Sequence, residues 1–545
     1  MMQSLAKIFC AFAFLLLPVA IDAAELLPAE MPINEVIDHY IQVGWKANEI
    51  QPSERISDAN LIRRLMLDVA GRVPSMHETR NYVDSKSPQK WTNLVDRLMT
   101  SPDFIYHHSN QLDEMLLPGG LKGGNEWMTY LQSASEENRS WDKLFREMLL
   151  GADNDADQKT ALSFVKLRGK SLDDLTNDTS VIFFGVNIGC AKCHDHPLVG
   201  DWLQDHYFGM ASFFNRTYMT KKNTVAEKYD GLVKFKTTSG EEKQAAFMFL
   251  TGTKVVEPET KKTDEQKKSE AEEVKLQMKD AKAPPAKIPT FSPRTKLVEV
   301  ALKSDENKFF SRNIANRIWA RLMGHGLVHP LDQLHSENPA SHPELLEWLR
   351  RDLVAHNYDL KRLIRGIALS NSYAISSEWM GKSEAPAPEH FAVANTKPLT
   401  PKQFSLSLIV ATWNPDDFDK KLEAERWTTE RKNLENSARG FASSIEYPGE
   451  HFQIGVDEAL LMSNSDRIQN DYLRDSGDRL LGHLKQLKTP KEKIEAAFWA
   501  VCSRAPEPEE MAAFEQYLSK REENVDNWKQ VLWALIAGPE LRFNY

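Results

Sequence analysis

Two of the chain's four cysteines fall in Cys190-Ala191-Lys192-Cys193-His194, followed directly by Asp195-His196-Pro197. A C-x-x-C-H run is the spacing by which a c-type haem is attached. Two thiols add across the two vinyl groups of one porphyrin, so they must lie a short fixed distance apart on one side of it. The histidine next to the second thiol then falls beneath the iron and offers a ring nitrogen as proximal ligand. Cys190 and Cys193 are the candidate anchors of haem c, and His194 the candidate iron ligand. The motif specifies no second axial ligand; His196, His206 and Met210 are the candidates that follow it. The pattern points to a cofactor but to no substrate, and no catalytic residue is read from it.

The same residues admit two other readings. Cys190, Cys193 and His196, with His206 or Asp205, would supply a tetrahedral zinc site. Zinc would recruit His196, because His194 directly follows Cys193 and is poorly placed to reach the same ion. In the third reading Cys190 and Cys193 form a disulfide within a structural or interaction module.

Other apparent motifs fail on their own chemistry. Asp153-Asn154-Asp155-Ala156-Asp157 imitates the start of a calcium loop, but Gln158 stands where the turn needs glycine and Phe164 where a bidentate glutamate belongs. Gly169-Lys170-Ser171 imitates a phosphate loop, yet Phe164 occupies the place of its first glycine. There is no H-E-x-x-H zinc motif and no G-x-S-x-G elbow. His107 and His108 are adjacent, so on a helix they point in different directions and do not share a metal.

The N-terminus reads as an export signal. Lys7 gives the basic start, Ile8 to Ala20 an apolar run, and Ile21-Asp22-Ala23-Ala24 a small-residue cleavage site. Export to the periplasm or cell surface fits a haem motif, because haem is attached to C-x-x-C-H outside the bacterial cytoplasm. It also gives a redox partner protein a place to meet the chain. After signal removal three cysteines remain, a poor basis for a disulfide framework. Cys502, on a helix-like apolar face, reads as a buried free thiol. The net charge of −10 excludes nucleic-acid binding through overall positive charge, and no later stretch is apolar enough to span a membrane.

The elements that must position the motif are mostly helices. The 545 residues suffice for several domains. Asp58 precedes Leu61, Ile62, Leu65 and Val69, with Gly71 as a stop; Ser75 and Glu78 have capping-box spacing. Thr179 to Ile188 reads as a helix ending at Gly189 that delivers Cys190 into a loop. Trp202, Tyr207, Phe208, Met210, Phe213 and Phe214 form an aromatic-rich segment, core by default and, beside a porphyrin, its apolar wall. Leu232 to Phe235 and Ala245 to Leu250 flank Ser239-Gly240 as a hairpin. Glu257 to Lys287 is nearly all charged or small, hence a flexible linker or a solvated helix ending near Pro284-Pro285. Helical periodicity then resumes, with Pro343 and Pro401 at helix starts and Gly324 at a stop.

Several ordered stretches carry a family resemblance. LIRRLMLDVAGRVPSMHET, DDLTNDTSVIFFGVNIGCAKCHDHPLVGDW and HYFGMASFF resemble the cytochrome-c-like domain of unknown function common in secreted planctomycete proteins. NIANRIWARLMGHGLV, SHPELLEWLRRDLV, LIRGIALSNSYAISS, KPLTPKQF and the ending VLWALIAGPELRFNY resemble the domain of unknown function that usually follows it. The resemblance implies a secreted, mostly helical protein with a C-x-x-C-H element and no established reaction. The chain departs from it at FIYHHSNQLDEMLL, where a tryptophan-bearing helix is usual, and at His206, where an aromatic residue is usual. The expected architecture is mainly α and multi-domain. It comprises a signal (1–24), an N-terminal helical domain with the CAKCH motif (30–225), a small β segment (226–255), a charged linker (256–290) and a C-terminal helical domain (291–545).

Overall fold

The computed structural model describes residues 26–545, apart from 152–155, 305, 307, 383, 423, 450–451 and 522–523. The expected signal and most of the acidic run 153–157 lie outside the described residues. The chain is mainly α, as the periodicities predict. Strands occur, among the described residues, only as four two-stranded antiparallel pairs.

Local chemistry explains the helix ends. Ser57 accepts a hydrogen bond from Asn60 N and opens the helix Asp58–Leu65, which continues as a π-turn, Met66–Ala70. Gly71 ends it at φ 74°, and a Cβ there would run into the His107 ring. Ser75 and Glu78 make both bonds of a capping box, which satisfies two otherwise orphaned amides. Thr400 and Gln403 do the same for Pro401–Ala411.

The buried apolar residues form two main cores. One draws on residues from Ile33 to Phe391. The other runs from Leu399 to Leu541 and takes in Leu67, Val73 and Met76 from the N-terminal part. The break between the cores therefore falls at 391–399, well past the charged segment. That segment contains the helix Asp264–Lys279, capped by Thr263 and Gln266. Tyr218 and Gln277 are hydrogen-bonded, Lys221 N donates to Gln277 O at 2.8 Å, and Tyr229 donates to Glu273 at 3.2 Å. The segment thus holds a helix, which ends at Lys279 rather than near Pro284-Pro285 and is tied along one edge to its neighbours.

The hairpin turns where Ser239-Gly240 predicts, but its second strand is Glu242–Gln244, paired with Lys234–Lys236. The apolar run that follows makes a separate pair instead, Phe247–Met248 with Lys254–Val255. Burial decides this: Phe247, Met248 and Phe249 are needed in cores, whereas Lys243 lies at the surface edge.

Candidate functional site

The C-x-x-C-H run is suspended from the helix Leu172–Phe184. Ser171 caps its start, and Leu175, Ile182, Phe183 and Phe184 face the first core. Buried Thr176 and Ser180 return their hydroxyls to carbonyls one turn back, at 2.7 and 2.9 Å, so these two hydroxyls are satisfied. The helix ends at Gly185, not at Gly189 as apolarity alone suggests. Gly185 sits at φ 68°, and a Cβ there would strike Leu334 and Asn313. The remaining apolar residues, Val186 and Ile188, reach the core from the non-helical segment that follows.

That segment is fixed by the C-terminal part of the chain. Leu334 N donates to Gly185 O at 2.9 Å, and Asn187 N to Asp332 O at 2.9 Å. Val186 and Gln333 form an antiparallel bridge. From the helix Lys308–Met323, Asn313 Nδ2 and Arg317 Nη2 donate to the carbonyls of Ile182 and Val181, each at 2.7 Å. They satisfy acceptors that a helix end otherwise leaves open. Beyond the motif, Ser336 N and Oγ both donate to Asp201 at 2.8 Å. The segment 331–336 thus grips the chain on both sides of the cysteines. No motif in the sequence marks that role.

The motif itself is a 3-10 turn, Gly189–Lys192. Ala191 plugs the first core while Cys190 and Cys193 are exposed and unpaired. The structure therefore does not contain the disulfide of the third reading. Lys192 pairs with Asp173, which also accepts the Tyr207 hydroxyl at 2.5 Å. The hydrogen bond from Lys192, then that from Tyr207, holds the Asp173 carboxyl below its ordinary range. Asp195 Oδ1 accepts from Gln204 N at 2.8 Å and caps the helix Gln204–Phe214.

The three histidines differ in what their Nδ1 atoms do. His194 Nδ1 lies 2.8 Å from Asp195 O; a carbonyl accepts only, so Nδ1 carries the hydrogen and Nε2 keeps a free lone pair. His196 Nδ1 is an acceptor, receiving the amides of Leu198 and Val199 at 3.3 and 3.1 Å. His206 Nδ1 accepts from Leu203 N at 3.2 Å. In their neutral forms the last two carry the hydrogen on Nε2, the wrong tautomer for ligation through that atom. Burial also lowers the pKa of His206, whose ring packs edge-on against Trp202. Met210 lies fully within the first core. Among the described residues no group of three or more His, Cys, Asp or Glu gathers as a metal site, so the zinc set is not brought together.

Two family matches lie along the chain, in order. Residues 36–219 match PSCyt2, a protein of unknown function (DUF1549). Residues 293–445 match PSD1, a protein of unknown function (DUF1553). No curated protein and no solved structure matches the chain. The motif lies inside the PSCyt2 match, and the segment that grips it, 331–336, inside the PSD1 match. The first core spans both matches, since PSD1 residues such as Phe310, Trp319 and Leu349 belong to it.

His107 and His108 sit in the helix Pro102–Leu116 and are both buried, with separate partners. His107 Nε2 lies 2.7 Å from the Gln111 amide nitrogen, while the His108 ring stacks on Phe104. Cys502 is buried and free, and burial pushes its thiol far above the ordinary range, so it is inert. No helix among the described residues is long and apolar enough to cross a membrane.

Proposed function

We propose that the loop 189–206 is an attachment site for a c-type haem, and that the exported chain serves periplasmic or cell-surface electron transfer or haem-dependent chemistry. The observation that carries the reading is the His194 tautomer. Of the three histidines in the loop, only His194 has Nδ1 committed to a carbonyl and Nε2 left as a lone pair, the arrangement that orients a metal-bound imidazole. Cys190 and Cys193 are exposed and unpaired, as thiols must be to add across vinyl groups. In each addition a C–S bond forms and the thiol hydrogen passes to the other vinyl carbon, with no change of oxidation state overall. Once bound, the iron would supply one-electron chemistry. The chain's own part is to hold the turn rigid, through Ala191 in the core and the 331–336 clamp, and to offer an apolar rim. Leu198 and Leu203, which follow the motif in the chain, are 82% and 41% exposed, surface that a porphyrin or a redox partner would cover.

The test is expression of the full chain with haem-attachment machinery, followed by fractionation, pyridine haemochrome spectra, haem staining in denaturing gels and zinc analysis. The expected result is one covalent haem per exported chain. His194→Ala should abolish normal iron ligation, while His196→Ala should leave attachment intact and at most shift the spectrum. Wild-type protein without covalent haem, or with stoichiometric zinc lost in His196→Ala, would falsify the reading.

A further inference from the structure

We propose that a cleft where the PSCyt2 and PSD1 parts meet binds a small organic acid, with the Arg321 guanidinium gripping its carboxylate. The cleft holds about 420 Å³, the size of a small-molecule site. The helices Pro102–Leu116 and Lys308–Met323 form two walls, and Lys397 to Thr400, Gln403 and Asn544 close it.

The argument is one of unspent charge. Lys397 looks available but is not: its ammonium donates to Asp68 Oδ1 at 2.6 Å, Leu322 O at 2.8 Å and Arg321 O at 3.2 Å, which uses its three protons. Asp68 is spent as well, because it also accepts from the Tyr373 hydroxyl at 2.7 Å and Asn544 Nδ2 at 2.8 Å. Arg317 is anchored through Nε to Asn313 and through Nη2 to Val181 O. Arg321 is different. Among the described residues no hydrogen bond or ion pair engages its guanidinium, and its Nε is sealed from solvent without a partner. The residue is half-buried, so its charge is partly desolvated with no protein group paired with it.

The nearby carboxylates, Asp68 and Glu114, act on Arg321 without pairing with it. Burial pushes Arg321 down to about 10, and Asp68 and Glu114 only partly offset that. Glu114 is itself pushed up to about 7 by burial, so near neutrality it carries only part of a charge. The groups acting on Glu114 are Tyr447, Lys402, Asp113 and Arg321. His107 is held neutral by burial and by Arg321 and Arg431. Two features set the ligand class. Only one guanidinium fork is uncommitted, which suits a planar monoanionic carboxylate in bidentate contact rather than a dianionic phosphate. Met115, Ile318, Leu331 and Leu399 give the cleft apolar wall beside polar groups such as Gln111 and His325, which suits a ligand with an apolar body.

The test uses the full chain and benzoate, benzamide and phenyl phosphate as probes, read by calorimetry and by shifts in Tm. Benzoate should bind saturably and raise Tm, and the neutral benzamide should not. Arg321→Met should weaken benzoate about tenfold or more. Arg321→Lys should lie between, as it keeps the charge without the fork. Met115→Trp narrows the cleft without touching the charge and should also weaken benzoate, so a misfolded Arg321→Met does not leave the matter open. The proposal is overturned by folded wild type with no saturable response to benzoate, by unchanged affinity in a folded Arg321→Met, or by phenyl phosphate binding tighter than benzoate.

Discussion

Lys397 Nζ lies 2.6 Å from Asp68 Oδ1, an ion pair that joins the PSD1 match to the PSCyt2 match inside the protein. Asp68 is 6% exposed and sits in the π-turn Met66–Ala70; Lys397 belongs to the short strand that pairs with Phe543–Asn544 near the C-terminus. Three distant segments thus meet on one carboxylate. Removing one partner of a buried pair strands the other charge at a cost of about 3–5 kcal/mol. Lys397→Met should therefore lower stability by about 3 kcal/mol in urea unfolding. Asp68→Asn with Lys397→Met should lose less than the two single losses combined, because no uncompensated charge remains. Strict additivity in that cycle would mean that the pair is not coupled.

The extent of the first core makes a prediction about proteolysis. The helix Asp264–Lys279 is largely exposed and rich in lysine, so trypsin should nick the chain within 256–290 first. Residues on both sides of that segment pack together, Trp141 and Phe145 against Phe310 among them, with Phe145 and Phe310 4.9 Å apart between ring centres. The two fragments should then co-elute on gel filtration and separate only in denaturant. Fragments that part in native buffer would contradict the shared core.

The contrast between local and long-range order explains what the sequence discloses. Capping at Ser75–Glu78 and Thr400–Gln403 is set by residues three apart, and amphipathic stripes by residues within one helix, so both are legible in order along the chain. The cysteine pair and His194 are likewise local. The end of the helix at Gly185 was not legible. It depends on Asn313 and Leu334, more than a hundred residues away, which crowd the glycine and take over the helix-end carbonyls. The clamp of Asp332, Gln333 and Ser336 on the motif and the unspent Arg321 are hidden for the same reason. Each is defined by partners gained or lacking in space, and Arg321 in sequence is only one more basic residue on a helix.

The buried His108 gives a pH dependence whose sign can be worked out. Burial, then Arg321 and Lys361, hold its pKa well below the ordinary 6.5, and its Nδ1 has no hydrogen-bond partner. Below pH 6.5 the unfolded chain takes up a proton there that the folded chain refuses. Stability is therefore lost as pH falls from 6.5 toward the depressed folded value, by up to about 1.4 kcal/mol per pH unit, and is unaffected above 6.5. His107 acts in the same direction. Glu114 acts oppositely, because its folded pKa is raised to about 7; its contribution is complete below the unfolded value and fades as pH rises toward 7. A raw stability–pH curve mixes these terms, but a comparison with His108→Phe isolates one. Phenylalanine keeps the stack on Phe104, whose ring centre lies 5.1 Å from that of His108, and removes the unpaired nitrogen. Urea unfolding at pH 7.5 and 5.5 should show the variant gaining on wild type by about 1 kcal/mol at the lower pH. A difference between the two proteins that stays constant across that interval would mean that His108 is protonated equally in the folded and unfolded chains.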